Sequence, residues 1–192
     1  MREITFDIET RSTSPVRGRL DINEMELIVV GVHDSETGEY VAYEREELPK
    51  LWPVLERADM LIGYNSDYFD IPLLNRYYPG DLTKIRSLDL MAEVYRALGR
   101  RLRLDSLAQA TLGKGKIGEG ALAGTWWDQG LRDKVKEYCL MDVRLTRELY
   151  DYALKHSAVK YKDLNQLRDI KLDTSAWRKE SEAASMTHTL PF

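Results

Sequence analysis

Five residues conflict chemically with their surroundings: Asp7, Glu9, Asp70, Tyr138 and Asp142. Asp7 and Glu9 interrupt the apolar stretch Ile4-Thr5-Phe6-Asp7-Ile8-Glu9, Asp70 lies between Phe69 and Ile71, and Asp142 lies between Met141 and Val143. An unpaired carboxylate is costly to bury, so acids that recur in core-like sequence suggest a shared cation. Hard divalent ions such as Mg2+ take oxygen ligands, commonly one or two carboxylates plus substrate phosphate. Four acids suit two ions better than one. Two ions about 3.5–4 Å apart can stabilise both the attacking and the leaving oxygen of an in-line phosphoryl displacement. The chemistry indicated is phosphodiester hydrolysis.

The elements must bring these groups together. Ile4 to Glu9 reads as a strand, on which Thr5, Asp7 and Glu9 share one face and Ile4, Phe6 and Ile8 the other. Two same-face acids then lie within roughly 7 Å and repel unless a cation or a proton intervenes. A solvated sheet edge is the alternative. Leu131 to Lys155 reads as a long helix whose apolar stripe runs Leu131, Val135, Cys139, Leu145, Leu149, Ala153. Tyr138, Asp142 and Thr146 adjoin that stripe. Tyr138 and Asp142, four residues apart, share a face and can converge on one point. The alternative makes Asp142 a partner for Arg144 or Arg147 at the helix surface. Asp70 follows a strand's carboxyl end, where ligands of open α/β sheets bind. Its alternative is a helix-dipole role behind an N-cap at Ser66 or Asp67.

The remaining elements frame an α/β layered domain with a mixed sheet. Glu26 to Asp34 and Tyr40 to Tyr43 read as strands joined by a turn at Ser35 to Glu39. Met60 to Tyr64 and Ile85 to Leu88 are further strands. Helices are predicted over Glu46 to Ala58, Tyr68 to Tyr77, Met91 to Leu98 and Leu104 to Leu112, the last two ended by Gly99 and Gly113. Val159 to Tyr161 and Asp169 to Leu172 form a candidate hairpin. One domain over residues 1–175 is expected, with 176–192 as a flexible tail.

At the five residues the chain resembles a known family. Phe6-Asp7-Ile8-Glu9-Thr10 is similar to the first exonuclease motif of the DEDD superfamily. Asn65 followed by Phe69-Asp70 is similar to the second, and Tyr138-Cys139-Leu140-Met141-Asp142 to the third in its tyrosine form. The histidine form would place His at position 137, which is Glu137. The resemblance over roughly residues 3–150 is therefore to the DEDDy branch, above all to the proofreading exonuclease domain of family-B DNA polymerases. It implies an RNase H-like fold: a five-stranded mixed β-sheet flanked by α-helices. It also implies metal-dependent 3′-5′ hydrolysis of single-stranded DNA ends to nucleoside 5′-monophosphates with two Mg2+ or Mn2+ ions. Asp7, Glu9 and Asp142 would bind one ion, Asp7 would bridge to a second held by Asp70, and Tyr138 would orient the attacking water. Thr10, Asn65 and Phe69 would touch substrate. The chain carries no polymerase region, so it reads as a stand-alone nuclease or a subunit acting in trans, in proofreading or DNA repair. An RNase D-like exoribonuclease and a non-catalytic nucleic-acid-binding module are the alternatives.

Other features are weaker. Gly113-Lys114-Gly115-Lys116-Ile117-Gly118 matches G-x-G-x-x-G but follows a helix rather than a strand, and Glu119 stands where the phosphate-loop Lys would. Lys114 and Lys116 are left as candidate phosphate contacts on a basic loop, against a plain inter-helix connection. Arg96, Arg100, Arg101 and Arg103 cluster around Gly99, either flanking a substrate strand or solvating a helix end. Trp126 and Trp127 read as core rather than as base-stacking groups. The C-terminal Leu190-Pro191-Phe192 resembles short tips that dock on replication or repair proteins, without their usual acidic residues or glutamine; a packed or disordered end is the alternative. His33, His156 and His188 show no ligand spacing.

Composition sets the outer bounds. The 192 residues are 43% hydrophobic and 31% charged, as in a soluble globular protein. A net charge of −4 argues against a general nucleic-acid coat but allows a local basic groove. The lone Cys139 excludes an internal disulfide and fits a reducing cytoplasm. No signal peptide is visible, and the apolar run Leu27 to Val32 is too short to span a bilayer.

Overall fold

A computed structural model describes residues 1–13, 22–115 and 122–179. Five strands, β1 (Glu3–Ser12), β2 (Met25–Asp34), β3 (Tyr40–Glu44), β4 (Met60–Gly63) and β5 (Ser87–Asp89), form one sheet in the order β3-β2-β1-β4-β5. β1 runs antiparallel to β2 and parallel to β4, β3 is antiparallel to β2, and β5 is parallel to β4. The sheet is therefore mixed, with helices on both faces, as an RNase H-like α/β fold requires.

The alternation in β1 decides the layers. Ile4, Phe6 and Ile8 face α1 (Leu48–Glu56) and α2 (Asp70–Leu74), joining Leu51, Leu55, Ile71 and Leu74 in one core. The opposite face is covered by α6 (Arg132–His156), which packs Leu145, Leu149 and Tyr150 with Ile62 and Leu88. β2 is apolar almost throughout because both of its faces are covered. Between α2 and α6 the chain adds α3 (Leu90–Leu98), α4 (Leu104–Leu112) and α5 (Ala123–Asp128).

Past α6, β6 (Ala158–Asp163) and β7 (Gln166–Lys171) form a separate hairpin sheet. Val159, Tyr161 and Ile170 enter the same core as α6, followed by Trp177. Arg178 reaches back to Glu3, so in the segment expected to be tail Trp177 is buried and Arg178 is tied to β1. Residues 180–192, with the tip Leu190-Pro191-Phe192, lie outside the described residues, as does Lys116.

Two expectations need correction. The helix expected over Tyr68 to Tyr77 is only Asp70–Leu74. Residues before it are used in a turn: a Cβ on Gly63 would lie 2.4 Å from Ser66 Cβ, and Asn65 has φ 66°. After it the chain tightens into short-range bonds, Arg76 N–H to Leu73 and Tyr77 N–H to Leu74. On α6, Leu131 is exposed, whereas Tyr138, Asp142 and Thr146 lie inside the buried stripe rather than beside it. Among the described residues no helix is long and apolar enough to cross a membrane.

Candidate metal centre and active site

The site forms where the parallel pair β1–β4 separates. β4 pairs with β1 only at Glu3 to Thr5, so among the described residues this edge of β1 has no strand partner beyond Thr5. Asp70 fills the gap: its Oδ1 accepts the backbone N–H of Ile8 at 3.2 Å. On the α6 face, Asp7 and Glu9 project from the same β1 segment, just before a bulge at Glu9/Thr10 in the pairing with β2.

Gly31 lets α6 approach. It sits directly across from Asp7 in the β1–β2 ladder. A Cβ there would lie 2.9 Å from Cys139 Sγ and 3.1 Å from Val143 Cγ2. With only hydrogen at Gly31, the Cys139 thiol comes to 3.4 Å from the Asp7 carbonyl oxygen and 3.8 Å from Asp7 Oδ2. Burial, and then the charges of Asp7, Glu9 and Asp142, hold that thiol well above its usual range, so it stays protonated and can donate.

Three helical residues past Cys139, Asp142 reaches the acids of β1. Carboxylate oxygens of Asp7, Glu9 and Asp142 all lie within 4.8 Å of one another. Glu9 and Asp142 are buried and Asp7 is half-buried. Of the two arginines weighed as helix-surface partners for Asp142, Arg144 lies over the Tyr40 ring, and Arg147 binds Glu3 and Asp151. Three acids this close repel one another in a low-dielectric setting, and their hard oxygen donors fit a divalent cation.

Asp70 stands outside that triplet. Burial pushes its carboxyl up to about 7, helped by the charges of Asp89 and Asp142 and opposed by the Ile8 N–H. It is not a dipole-complementing acid behind a capped helix. Phe69 occupies the N-cap position without a side-chain cap, Asp67 accepts from the Ser87 hydroxyl, and Ser66 Oγ is buried without a partner.

Tyr138 is buried one helical turn before Asp142, and Glu137 beside it points to solvent. The Tyr138 ring meets Trp126 of α5 edge-on, with centroids 5.6 Å apart. Trp126 and Trp127 are half-buried against the core rather than enclosed in it, with Lys134 over Trp126 and Arg132 over Trp127.

The expected substrate contacts divide. Asn65 and Phe69 lie in the turn that carries Asp70, and Asn65 Oδ1 is buried without a hydrogen-bond partner. Thr10 is half-buried at the end of the acidic strand segment, its hydroxyl 3.9 Å from Met25 Sδ. Lys114 is not brought to the acids; its ammonium binds both carboxylate oxygens of Glu148 at 2.6 and 2.7 Å.

Asp89 escaped the sequence reading. Its carboxylate accepts the N–H groups of Asn65 (2.8 Å) and Asp67 (3.2 Å), and those of Met91 and Ala92 at the start of α3. It thus ties the Asn65 turn to a helix N-terminus. The available signal was Asp immediately before the apolar helix Leu90–Leu98, which by itself indicates only an N-cap.

Comparison with known proteins is consistent with this geometry. A family model described as RNase_H superfamily matches residues 4–154. Among solved structures, the family B DNA polymerase from the hyperthermophilic archaeon Pyrobaculum calidifontis is similar with a TM-score of 0.63 and 20% sequence identity. The likeness covers 80% of this chain and 24% of the polymerase chain, so this chain spans a minor part of that protein's length. At that identity it is a likeness of fold. No curated protein matches.

Proposed function

This chain belongs to the RNase H superfamily, and from that premise we propose that it is a metal-dependent 3′-5′ exonuclease. It would act on single-stranded DNA and release nucleoside 5′-monophosphates. The observation that carries the reading is the convergence of Asp7, Glu9 and Asp142 within 4.8 Å, one helical turn from a buried Tyr138. A structural role for three mutually repelling acids is hard to sustain, whereas phosphodiester hydrolysis needs such a cluster.

Asp7, Glu9 and Asp142 would hold one divalent cation, Mg2+ or Mn2+, and Asp7 with Asp70 a second. When bound, such ions neutralise charge at the scissile phosphate and acidify water. The protein's own groups do the rest. Asp70, anchored to the Ile8 N–H, fixes the side of the cleft opposite α6. The Tyr138 hydroxyl hydrogen-bonds and orients the attacking water, and a phenol is too weak a base to do more at neutral pH. The turn carrying Asn65 and Phe69 would hold the terminal nucleotide against this centre, while Thr10 contacts it from the strand side.

The deciding experiment uses 5′-labelled single-stranded DNA and RNA of matched sequence, with Mg2+, Mn2+ or EDTA, and Asp7→Ala as control. A metal-dependent ladder on DNA, absent in Asp7→Ala, is expected. A ladder on RNA alone would replace the reading with an exoribonuclease. Binding without cleavage of either strand would remove the enzyme assignment.

A further inference from the structure

We propose that the single strand, having placed its 3′ end at the acid cluster, runs back over Tyr68 and Arg101 into a groove between α4 and the β6–β7 hairpin. This rests on the reading of the cluster as the site of 3′-end hydrolysis. It adds a path for the upstream nucleotides and residues to carry them.

The path begins in the turn that carries Asp70. Tyr68 lies two residues before Asp70, in the same turn as Asn65, and is 59% exposed. The Arg101 guanidinium sits over its ring at 5.6 Å. Arg101 belongs to the connector between α3 and α4, which is fixed in place because the Leu102 carbonyl accepts the Tyr64 hydroxyl at 2.8 Å. Tyr64 is the residue before Asn65, so the connector is held against the turn that bears Asp70.

The next residue back leads toward the groove. Arg100, next to Arg101, lies over the Tyr161 ring at 5.2 Å. Tyr161 and Leu102 both line a groove of about 620 Å³, together with Ser106, Gln109, Lys162 and Leu167. Leu167 is 63% exposed, and Leu164 at the hairpin tip is 92% exposed.

One exposed ring, Tyr68, and three cations, Arg101, Arg100 and Lys162, therefore accompany this groove, with Arg100 lying over the largely buried Tyr161. That is the combination single strands use, with bases stacking on aromatic faces and phosphates meeting cations. Acids temper part of it, since Asp163 faces Arg100 at 3.8 Å and Arg168 at 3.2 Å. Arg101 and Lys162 enter no ion pair among the described residues, which leaves their charge for a phosphate. A duplex would gain little here, because its bases are already stacked on one another.

The test compares kcat and KM on single-stranded DNA of about 4 and about 12 nucleotides, lengths within the range that single-strand grooves occupy. Arg101→Glu, Lys162→Glu and Tyr68→Ala should each raise KM for the longer strand by at least about fivefold more than for the shorter, the size of one lost stacking or phosphate contact. Tyr68→Phe should restore most of the loss, because it keeps the stacking face. Arg101→Glu should also lower the salt slope of long-strand binding by about one ion. If wild type cut both strands and the variants affected both lengths equally or not at all, the track would be wrong while the nuclease reading stood. If wild type neither bound nor cut either strand, both would fall.

Discussion

The indole of Trp126 meets the phenol of Tyr138 edge-on, with ring centroids 5.6 Å apart and planes at 76°. α5 carries that indole and is seated on β1: a Cβ on Gly124 would lie 3.1 Å from Arg11 Cβ and 3.3 Å from Arg11 Cα. Tyr138 is thus braced from the same strand that supplies Asp7 and Glu9. Edge-to-face pairs contribute roughly 0.5–1.5 kcal/mol beyond area burial. Trp126→Ala should lower kcat by about 2- to 10-fold with a smaller change in KM, if the brace is felt mainly in the transition state. Trp126→Phe should recover most of it. Wild-type kcat in Trp126→Ala, at equal folded fraction, would show that Tyr138 keeps its place without the indole.

Gly31 should be as intolerant as any acid in the site. Alanine there meets Cys139 Sγ at 2.9 Å and Val143 Cγ2 at 3.1 Å, so α6 must move off the sheet or its side chains must repack. Overpacking of this kind costs about 1–3 kcal/mol. The displacement separates Asp142 from Asp7, so Gly31→Ala should weaken Mn2+ binding as well as lower the melting temperature. Adding Cys139→Ala, which removes the nearest atom, should restore part of both. Isothermal titration with Mn2+ and thermal melts read the two effects separately. Unimpaired Mn2+ affinity in Gly31→Ala would show that α6 absorbs the methyl without shifting Asp142.

Asp89 links the turn before Asp70 to the start of α3 through four backbone N–H groups, those of Asn65, Asp67, Met91 and Ala92. Removing the acceptor leaves these donors without their partner, at about 1–3 kcal/mol for each that stays buried. Asp89→Ala should therefore destabilise the protein and reduce cleavage beyond what the lost folded fraction explains, because Asp70 loses its support. Asp89→Asn keeps an acceptor oxygen and should lie between. Circular dichroism melts paired with cleavage rates at a temperature well below melting make the comparison. Equal activity per folded molecule in Asp89→Ala would reduce Asp89 to a helix cap.

What was legible in the sequence follows from period and type. The alternation Ile4, Phe6, Ile8 against Asp7 and Glu9 placed a strand and its faces correctly, because a period of two leaves no other arrangement. Tyr138 and Asp142 were paired by helical spacing. Their place inside the buried stripe was not visible, because a polar residue at a stripe edge looks the same whether it faces solvent or a metal site. A helix is expected at α2 but drawn too long, because the pattern of Tyr68 to Tyr77 marks neither the turn at Asn65 before it nor the short-range bonds after Leu74. Asp89 and Gly31 were missed because their work is done across the chain, on partners 22 to 24 residues away for Asp89 and on a helix 108 residues on for Gly31 (139 − 31).

Glu3 should govern acid sensitivity away from the site. Its carboxylate is buried and accepts from Tyr150 at 2.7 Å, from Arg178 at 2.7 and 3.0 Å, and from Arg147 at 2.9 Å. Burial pulls its pKa upward, but the bonds from Arg178 and Tyr150 and the charges of Arg147 and Arg178 outweigh burial and hold it below the usual range. A folded pKa below the unfolded one gives stability that is complete above the unfolded value, about 4.3 for Glu. That stability is lost as pH falls through the folded value. Glu3→Gln mimics the protonated state, so the difference in melting temperature between wild type and Glu3→Gln should be largest near neutrality and shrink in acid. A difference that held constant down to about pH 3 would mean that Glu3 does not carry this acid response.

The acid cluster itself should cost stability when no cation is bound. Asp7, Glu9 and Asp142 place oxygens within 4.8 Å of one another, and Glu9 and Asp142 are buried. Neutralising one member by Asp142→Asn relieves that repulsion, so the metal-free variant should melt above metal-free wild type. Metal should reverse the order. A ligand that binds only the folded state adds about 2.7 kcal/mol when present at 100 times its Kd. Mn2+ should therefore raise the melting temperature of wild type clearly and that of Asp142→Asn little. Stability and cation binding would then pull on the same three carboxylates in opposite directions, which is expected of acids retained for chemistry rather than for folding. Equal Mn2+ shifts in the two proteins would place the cation elsewhere. A metal-free Asp142→Asn that melted below wild type would mean that Asp142 holds the fold through its partners rather than straining it.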